Sequence, residues 1–321
     1  MADKALTKSK VAAFIILALI AAGCMPREVV MSTHINDYID AFKSGEYISD
    51  PLSGLIVDDR PDPAVLDYLN QELVAASSED REGIVDLLVK LGLETDPLTS
   101  KGAEVLRDQR IIGILAGPGL ARDDVGQYAA MDALRKLVTP ADLAPHENAF
   151  VKALMDAPSE DAFLLVAKVK PVKEKVLVEQ LARSPEWKEV EAAKIARAAL
   201  GAKEIEDKYL AVADAATDGE ELADALGPLA LMGTLRSLKA IAAHLRTPMT
   251  IVVPRVHEKS VRLNVLAALL YNFPDQPVLY PNNIFSEEDY RAAERFCTDT
   301  LGVTYTTPPP PFLKYRGFPS F

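Results

Sequence analysis

The chain has 321 residues, of which 49% are hydrophobic and 7% aromatic, with 22 prolines, 16 glycines and two cysteines. This composition excludes a disordered, collagen-like or disulfide-stapled protein, and a chain of this length can bury about 75% of its unfolded surface in one or two packed domains. The formal net charge of -12 opposes binding to polyphosphate, which requires lysine and arginine, so we expect no nucleic-acid partner.

The first 24 residues have the order of a secretory signal peptide. Lysines at positions 4, 8 and 10 precede an apolar run at 11–22, which Gly23 and Cys24 follow. A helix over this run would rise about 18 Å, too short for the ~30 Å hydrocarbon core of a bilayer. We therefore expect cleavage rather than a membrane span, which leaves a mature chain two charges more acidic.

The residues at 20–24 (IAAGC) resemble the lipobox of bacterial lipoproteins, although Ala21 stands where that family usually carries leucine. The resemblance implies a signal peptide at 1–23, acylation of Cys24 and attachment to a membrane of the bacterial cell envelope. Two or more acyl chains hold a protein on a membrane stably. Met25 is not the aspartate that retains such proteins at the inner membrane, which favours the outer membrane facing the periplasm. The alternative is an ordinary signal peptide with an incidental cysteine.

After a linker at 24–32, apolar residues recur with the period of a helix, and alternating strand patterns are almost absent. The pattern predicts a leading helix at 33–44 and a last helix at 286–301. The helix pairs between them are predicted at 62–76/79–91, 101–115/123–138, 140–156/159–169, 172–183/186–200, 202–216/219–232 and 234–246/258–273. Helix starts are indicated by Asp62-Pro63, Thr139-Pro140, Ser184-Pro185, Thr217 with Glu220, and Ser286 with Asp289.

The predicted pairs recur every ~30 to 45 residues, a period typical of helical solenoids. The stretches 229–238 (LALMGTLRSL) and 260–269 (SVRLNVLAAL) resemble the repeat transition and the second helix of HEAT repeats, and 127–138 and 190–200 are looser copies. The resemblance implies an all-α fold, a right-handed α-α superhelix of the HEAT or armadillo-like kind, over residues 33–302. A Pro/aromatic tail at 303–321 follows. We expect this tail to pack over the last repeat; the alternative is a projecting ligand.

The sequence contains no recognised catalytic or metal-binding motif. His146-Glu147 and His257-Glu258 each lack the second histidine four residues on that a zinc protease requires. The glycines of GILAGPG at 113–119 are not followed by the Lys-Ser or Lys-Thr of a phosphate loop, so a helix-ending turn is expected. We predict no enzyme activity, no cofactor and no bound metal.

Three further features have structural explanations. The acidic cluster at 58–62 matches no EF-hand spacing, and Asp62 is expected to cap a helix rather than to bind a cation. Cys297 lies among apolar residues at helical spacing and is expected to be a buried small hydrophobe. His244 and His257 flank one loop, and we expect solvated or capping roles for both.

Two long, apolar, proline-containing loops at 248–257 and 274–285 are the candidate contact surfaces. Long ordered loops in packed domains are often functional; alternatively, they only cover the end of the solenoid. Because one lies within a helix pair and the other between pairs, we expect them on opposite edges. The candidate partner-binding residues are Met249, Ile251, Val253, Arg255, His257, Val278, Tyr280, Asn282 and Phe285.

These features favour a non-catalytic, lipid-anchored cell-envelope scaffold that binds a protein or peptide through a helical-repeat surface and reaches the membrane through Cys24. The alternative is a binding module for a small molecule, a polysaccharide or a cationic envelope component, selected by the acidic surface. A third possibility is an enzyme with an unrecognised site at 58–62 or at the two loops.

Overall fold

The computed structural model describes residues 27–45, 55–57, 60–93, 108–253, 256–312 and 315–316. The predicted signal peptide, Cys24 and the first part of the linker lie outside the described residues. Within them the chain is mostly helical with little sheet, in agreement with the all-α prediction. No helix in these ranges is long and apolar enough to cross a bilayer.

The helices, numbered in chain order, are α1 Arg27–Ser44, α2 Pro63–Ala75, α3 Ser78–Gly92, α4 Gln109–Ala116, α5 Val125–Leu137, α6 Pro140–Leu143, α7 Glu147–Asp156, α8 Glu160–Val169, α9 Lys175–Ala182, α10 Glu191–Ala199, α11 Lys203–Ala215, α12 Gly219–Met232, α13 Leu235–Ala243, α14 Arg262–Leu270 and α15 Glu287–Leu301. The strands are β1 Ile56–Val57, β2 Arg60–Pro61, β3 Thr250–Val253, β4 Val256–Ser260 and β5 Tyr315–Arg316. The first two form an antiparallel pair, and the last three form an antiparallel sheet in the order β3-β4-β5.

Several predicted helix starts are confirmed by their capping geometry. Asp62 and Thr139 accept hydrogen bonds from backbone N–H groups in the first turns of α2 and α6. Ser286 and Asp289 form a reciprocal capping box at the start of α15. These side chains satisfy N–H groups that have no partner within the helix, so the sequence pattern alone locates the starts.

Other boundaries differ from the prediction. The predicted helix at 140–156 is divided into α6, a 3-10 turn and α7, because Pro145 lies inside it and has no N–H to donate. No helix starts at Ser184-Pro185; turns continue to 189, and they place the Trp187 ring 5.1 Å from that of Phe163. Asp218, rather than Thr217, caps α12.

The largest departure is the β3–β4 hairpin, where the sequence predicts a loop and then a helix from residue 258. The strands pair antiparallel with a register shift between Ile251 and Val253, and α14 begins only at Arg262. The β3 residues include threonine, isoleucine and valine, which favour strands. The strand is too short to show a clear alternation, so the periodicity argument misses it.

The leading helix and the second helices of the predicted pairs stack in one continuous row. In it, α1, α3, α5, α8, α10, α12 and α14 contact one another in succession, and the first helices of the pairs pack against this row. The apolar side chains between them form one core cluster. Each helix of the row therefore contacts mainly its neighbours in the row.

Two lysines at the C-terminal end of α8 connect helices that are distant in sequence. Lys168 is 1% exposed; its ammonium donates to the carbonyl of Arg135 and, at 2.8 Å, to that of Tyr271. Lys170 donates to the carbonyl of Gly233, and burial lowers the pKa of its ammonium. The C-terminal ends of α5, α8, α12 and α14 are therefore linked by charged hydrogen bonds, at the negative ends of the helix dipoles.

The segment after α15 lies against the last helices. The Tyr305 hydroxyl donates to the Ala242 carbonyl at 3.1 Å, and the Phe312 ring lies 6.1 Å from that of Tyr290. Strand β5 pairs with β4. Residues 313–314 and 317–321 of the predicted tail are outside the described ranges. Cys297, on α15 beneath this segment, is fully buried as predicted, and burial raises the pKa of its thiol to about 11.

Candidate functional site

The β3–β4 hairpin lies where the first loop, 248–257, was predicted, and one face of it packs against the hydrophobic core. Met249 and Ile251 are partly buried against it, whereas Val252 is 70% exposed. The side chains of Val253, Arg255 and His257 are outside the described part of the chain. The Thr250 carbonyl lies only 2.2 Å from the position that a Cβ on Gly219 would occupy. The hairpin is therefore seated on the N-terminal end of α12.

The second predicted loop, 274–285, follows α14 along its length. The Tyr280 hydroxyl donates to the Pro274 carbonyl at 2.8 Å, so this candidate side chain is used within the loop. Asn282 is exposed, and Val278 and Phe285 have exposed fractions of 36% and 67%. Of these candidates, Phe285 is therefore the most accessible apolar side chain.

The loops at 248–257 and 274–285 were expected on opposite edges of the helix stack. This expectation is wrong for the last residues of the second loop. At one end of α14 and α15, Arg262 pairs with Glu287, and at the other the rings of Phe273 and Phe296 lie 5.3 Å apart. The two helices are therefore parallel. The connection must return along α14, which brings Phe285 to the end of α14 where the hairpin also lies.

Several residues considered for phosphate or metal binding have structural roles, whereas residues 58–59 and the side chain of His257 lie outside the described part of the chain. The glycine-rich stretch ends α4 in a 3-10 turn, as predicted, and the carbonyls of Pro118 and Gly119 accept hydrogen bonds from the buried guanidinium of Arg81. His146 lies beside Phe150. Among the described residues, no group of three or more His, Cys, Asp or Glu side chains could hold a metal ion.

A groove that no sequence motif indicates lies between α11 and α12, and we call it the α11–α12 groove. It has a volume of about 550 Å³, within the ~300–1,000 Å³ typical of ligand sites. Val212 on its wall is 58% exposed. The residues that line the groove are Tyr209, Val212, Ala215, Ala216, Glu221, Asp224, Ala225 and Pro228.

The polar atoms of the α11–α12 groove are mostly hydrogen-bond acceptors. Glu221 accepts from the backbone N–H of Thr217 at 2.9 Å and from its hydroxyl at 3.0 Å, so this carboxylate is held in place. Asp224 lies almost one turn further along α12 and is exposed. The Tyr209 hydroxyl donates to Glu191. The lining includes no basic residue, so the wall is apolar with a negative rim.

A second exposed apolar surface lies at the start of α9 and was also missed. Val172, Val176 and Leu177 are 81%, 63% and 51% exposed, and Lys173 beside them is exposed as well. The predicted helix at 172–183 contains these apolar residues, and periodicity alone assigns them to a buried face. Only Val178 and Ala182 of α9 are buried.

No family model, curated protein or solved structure matches this chain. The assignment of function therefore depends on the residues and geometry of the chain itself.

Proposed function

We propose that this protein is a non-catalytic, lipid-anchored scaffold of the bacterial cell envelope that binds a protein or peptide partner. The single observation that carries the proposal is the α11–α12 groove, a concave surface of about 550 Å³ with an apolar wall and an acidic rim. The resemblance of residues 1–24 to a lipoprotein leader supports the location. The stacked row of helices supports our inference that residues 33–302 form a right-handed superhelix of the HEAT kind.

The lining of the groove favours binding over catalysis. Its carboxylates, Glu221 and Asp224, are on the solvent side of one helix, and no histidine, cysteine or lysine accompanies them. General acid–base or nucleophilic catalysis requires a nucleophile or a base positioned against a second group. An open apolar wall with a polar rim is the composition expected of a peptide-binding surface.

In-cell photocrosslinking tests the proposed partner site. A photoreactive phenylalanine analogue at Val212 lies in the groove, and the same analogue at Val74 is the matched control, since Val74 is a helical valine with nearly the same exposure, 57% against 58%. We expect one dominant crosslinked protein from position 212 and none from 74. Equal crosslinking from both positions, or none from 212 with the protein folded, would contradict the proposal.

A separate experiment tests the anchor. Replacing Cys24 with serine removes the thiol that acylation requires, so we expect Cys24→Ser to move from the membrane fraction to the soluble fraction and to lose incorporation of labelled fatty acid. Retention of the fatty-acid label in the variant would show that the lipid is not on this cysteine.

The alternative ligand is a small cationic component of the envelope, which the acidic rim and the groove volume would also suit. A crosslink from position 212 to a non-protein species, abolished by high salt, would favour this alternative over a peptide.

A further inference from the structure

Within α12, a proline at the groove interrupts the helical hydrogen bonds. Pro228 lines the α11–α12 groove inside the helix Gly219–Met232. Because proline has no N–H, the carbonyl of Asp224 lacks its donor four residues on. Helical carbonyls point toward the C-terminus, so this carbonyl is directed toward Pro228, at the groove wall.

Burial of the neighbouring residues holds the helix despite this interruption. Leu222, Leu226 and Leu229 are each at most 1% exposed. Gly227, beside the proline, has nothing within 4 Å of the position that a Cβ would occupy. Two residues with low helix propensity therefore occur together on the accessible side, where packing does not require a glycine.

Three acceptors lie along one side of the groove: the carboxylate of Glu221, the carboxylate of Asp224 and the carbonyl of Asp224. Among the described residues, Asp224 has no ion-pair partner, and the lining contributes no cation. A ligand that covered this side of the groove as well as the apolar wall, and brought no donors, would leave the acceptors desolvated, which is costly. The occupant must therefore bring donors together with apolar groups.

We propose that the α11–α12 groove selects a peptide in which an arginine is flanked by apolar side chains, with the guanidinium donating to the free carbonyl and the carboxylate of Asp224. This inference rests on the proposed function and specifies its partner. The guanidinium presents five donors in a planar fork, which suits a carbonyl and a carboxylate on one residue. Its aliphatic stem packs against Val212, Ala215 and Ala225.

The test uses three end-blocked pentapeptides, Leu-Val-Arg-Val-Leu, Leu-Val-Gln-Val-Leu and Leu-Val-Glu-Val-Leu, titrated into the isotopically labelled mature protein and followed by NMR. NMR also registers binding in the millimolar range. We expect the arginine peptide to bind about tenfold more tightly than the glutamine peptide, as for a charge-assisted hydrogen bond. The glutamate peptide should be the weakest of the three.

The variant Pro228→Ala gives the sharpest result, because it restores an N–H to the helix. We expect the Kd of the arginine peptide to rise about tenfold while the thermal midpoint of the protein rises; a residue with only a structural role would not produce opposite signs. Asp224→Asn should also weaken binding, and Glu186→Gln, which removes a carboxylate outside the groove, should not.

The outcomes separate this inference from the proposed function. A protein crosslinked from position 212, with equal binding of the arginine and glutamine peptides or an unchanged Kd in Pro228→Ala, would overturn the inference and leave the scaffold function standing. If no peptide at millimolar concentration changes the NMR chemical shifts of the residues that line the groove, the inference is also overturned. If the crosslinked species is a second copy of this chain, the groove is a self-association surface and the arginine-peptide inference is wrong.

Discussion

At the residue scale, buried guanidinium groups hold separate helices together. Arg262 is 1% exposed. Its Nε donates to the Leu245 carbonyl at 2.7 Å, its terminal nitrogens donate to both carboxylate oxygens of Glu287 at 3.2 Å, and its guanidinium lies 3.5 Å from the centre of the Tyr290 ring. One side chain thus joins the segment after α13 to α14 and α15. A buried charge persists only with such a set of partners.

Arg262→Met should therefore lower the free energy of unfolding by about 3 kcal/mol, since it leaves a partly buried carboxylate and a carbonyl without their donors. The matched control is Arg295→Met, which breaks a pair with another α15 glutamate, Glu288, where both side chains are more than 60% exposed. That loss should stay below ~1 kcal/mol. Chemical denaturation measures both values, and equal losses would contradict the role assigned to Arg262.

Protonation of His244 makes the free energy of unfolding depend on pH, and the direction of this dependence follows from the shift in its pKa. Burial lowers the pKa of its imidazole below the ordinary value of 6.5, and the carboxylate of Asp214 partly opposes this. Below 6.5 the unfolded chain binds the proton more readily than the folded chain, so the free energy of unfolding falls as the pH drops through the folded pKa.

In His244→Gln we expect a smaller stability difference between about pH 7.5 and pH 5 than in the unmodified protein. The control is His34→Gln, which changes an exposed histidine on α1 and should leave the pH dependence as it is. Urea denaturation at the two pH values gives the comparison. A larger pH dependence in His244→Gln would show that the sign is wrong.

At the element scale, α12 contains two glycines with opposite requirements. A Cβ on Gly219 would lie 2.2 Å from the Thr250 carbonyl and 2.8 Å from a methyl group of Val261, whereas one on Gly227 meets nothing within 4 Å. Gly219 therefore permits the close approach of the hairpin, and its lack of a side chain is a packing requirement. Gly227 only weakens the helix.

Gly219→Ala should destabilise the protein by about 2 kcal/mol, because the hairpin must move away from the start of α12. Gly227→Ala should stabilise it by about 0.5 to 1 kcal/mol through helix propensity. Thermal denaturation of the two variants tests this prediction. Changes of the same sign would contradict the assignment of the hairpin to this position.

At the scale of the whole molecule, Lys168 joins positions 33 and 103 residues away in sequence. A stack with contacts only between neighbours opens readily from its ends. The two hydrogen bonds of Lys168 instead connect the end of α14 to the middle of the stack. The terminal helices should therefore open less independently than in a simple linear array.

Lys168→Met keeps most of the apolar stem and removes the donors, so we expect a loss of about 2 kcal/mol. We also expect faster amide hydrogen exchange in α14 and α5 than in α11. Lys152→Met, which alters a side chain that is 77% exposed and pairs with Asp156, is the control and should leave the exchange unchanged. Uniformly faster exchange in all three helices would contradict a specific link from Lys168 to α5 and α14.

The helices and many of their ends could be predicted from the sequence because they depend on local chemistry. Asp62, Thr139 and Ser286 satisfy N–H groups within one turn of themselves, and the sequence contains all the information needed. The β3–β4 hairpin could not be predicted, since its pairing and its seat on Gly219 are tertiary contacts. Their stabilisation outweighs the weak local preferences that the pattern registers.

The α11–α12 groove could not be predicted from the sequence for a related reason. The contact residues predicted from the sequence lie in two loops, and several of them, such as Met249 and Tyr280, are partly buried or hydrogen-bonded within their own loop. The α11–α12 groove is formed by the outward sides of two ordinary helices. Val212 and Pro228 were visible signals, an exposed-face valine and a proline within a helix, but they indicate a site only once the two helices are placed together.

The segment after α15 has a consequence for the size of any assembly. A stack of helical units has no intrinsic length limit, because its last unit presents the same kind of apolar surface as the units before it. Here Tyr305 contacts the end of α13, Phe312 lies beside α15, and β5 pairs with β4. In the superhelix proposed above, this segment would act as a terminator and oppose end-to-end growth into filaments.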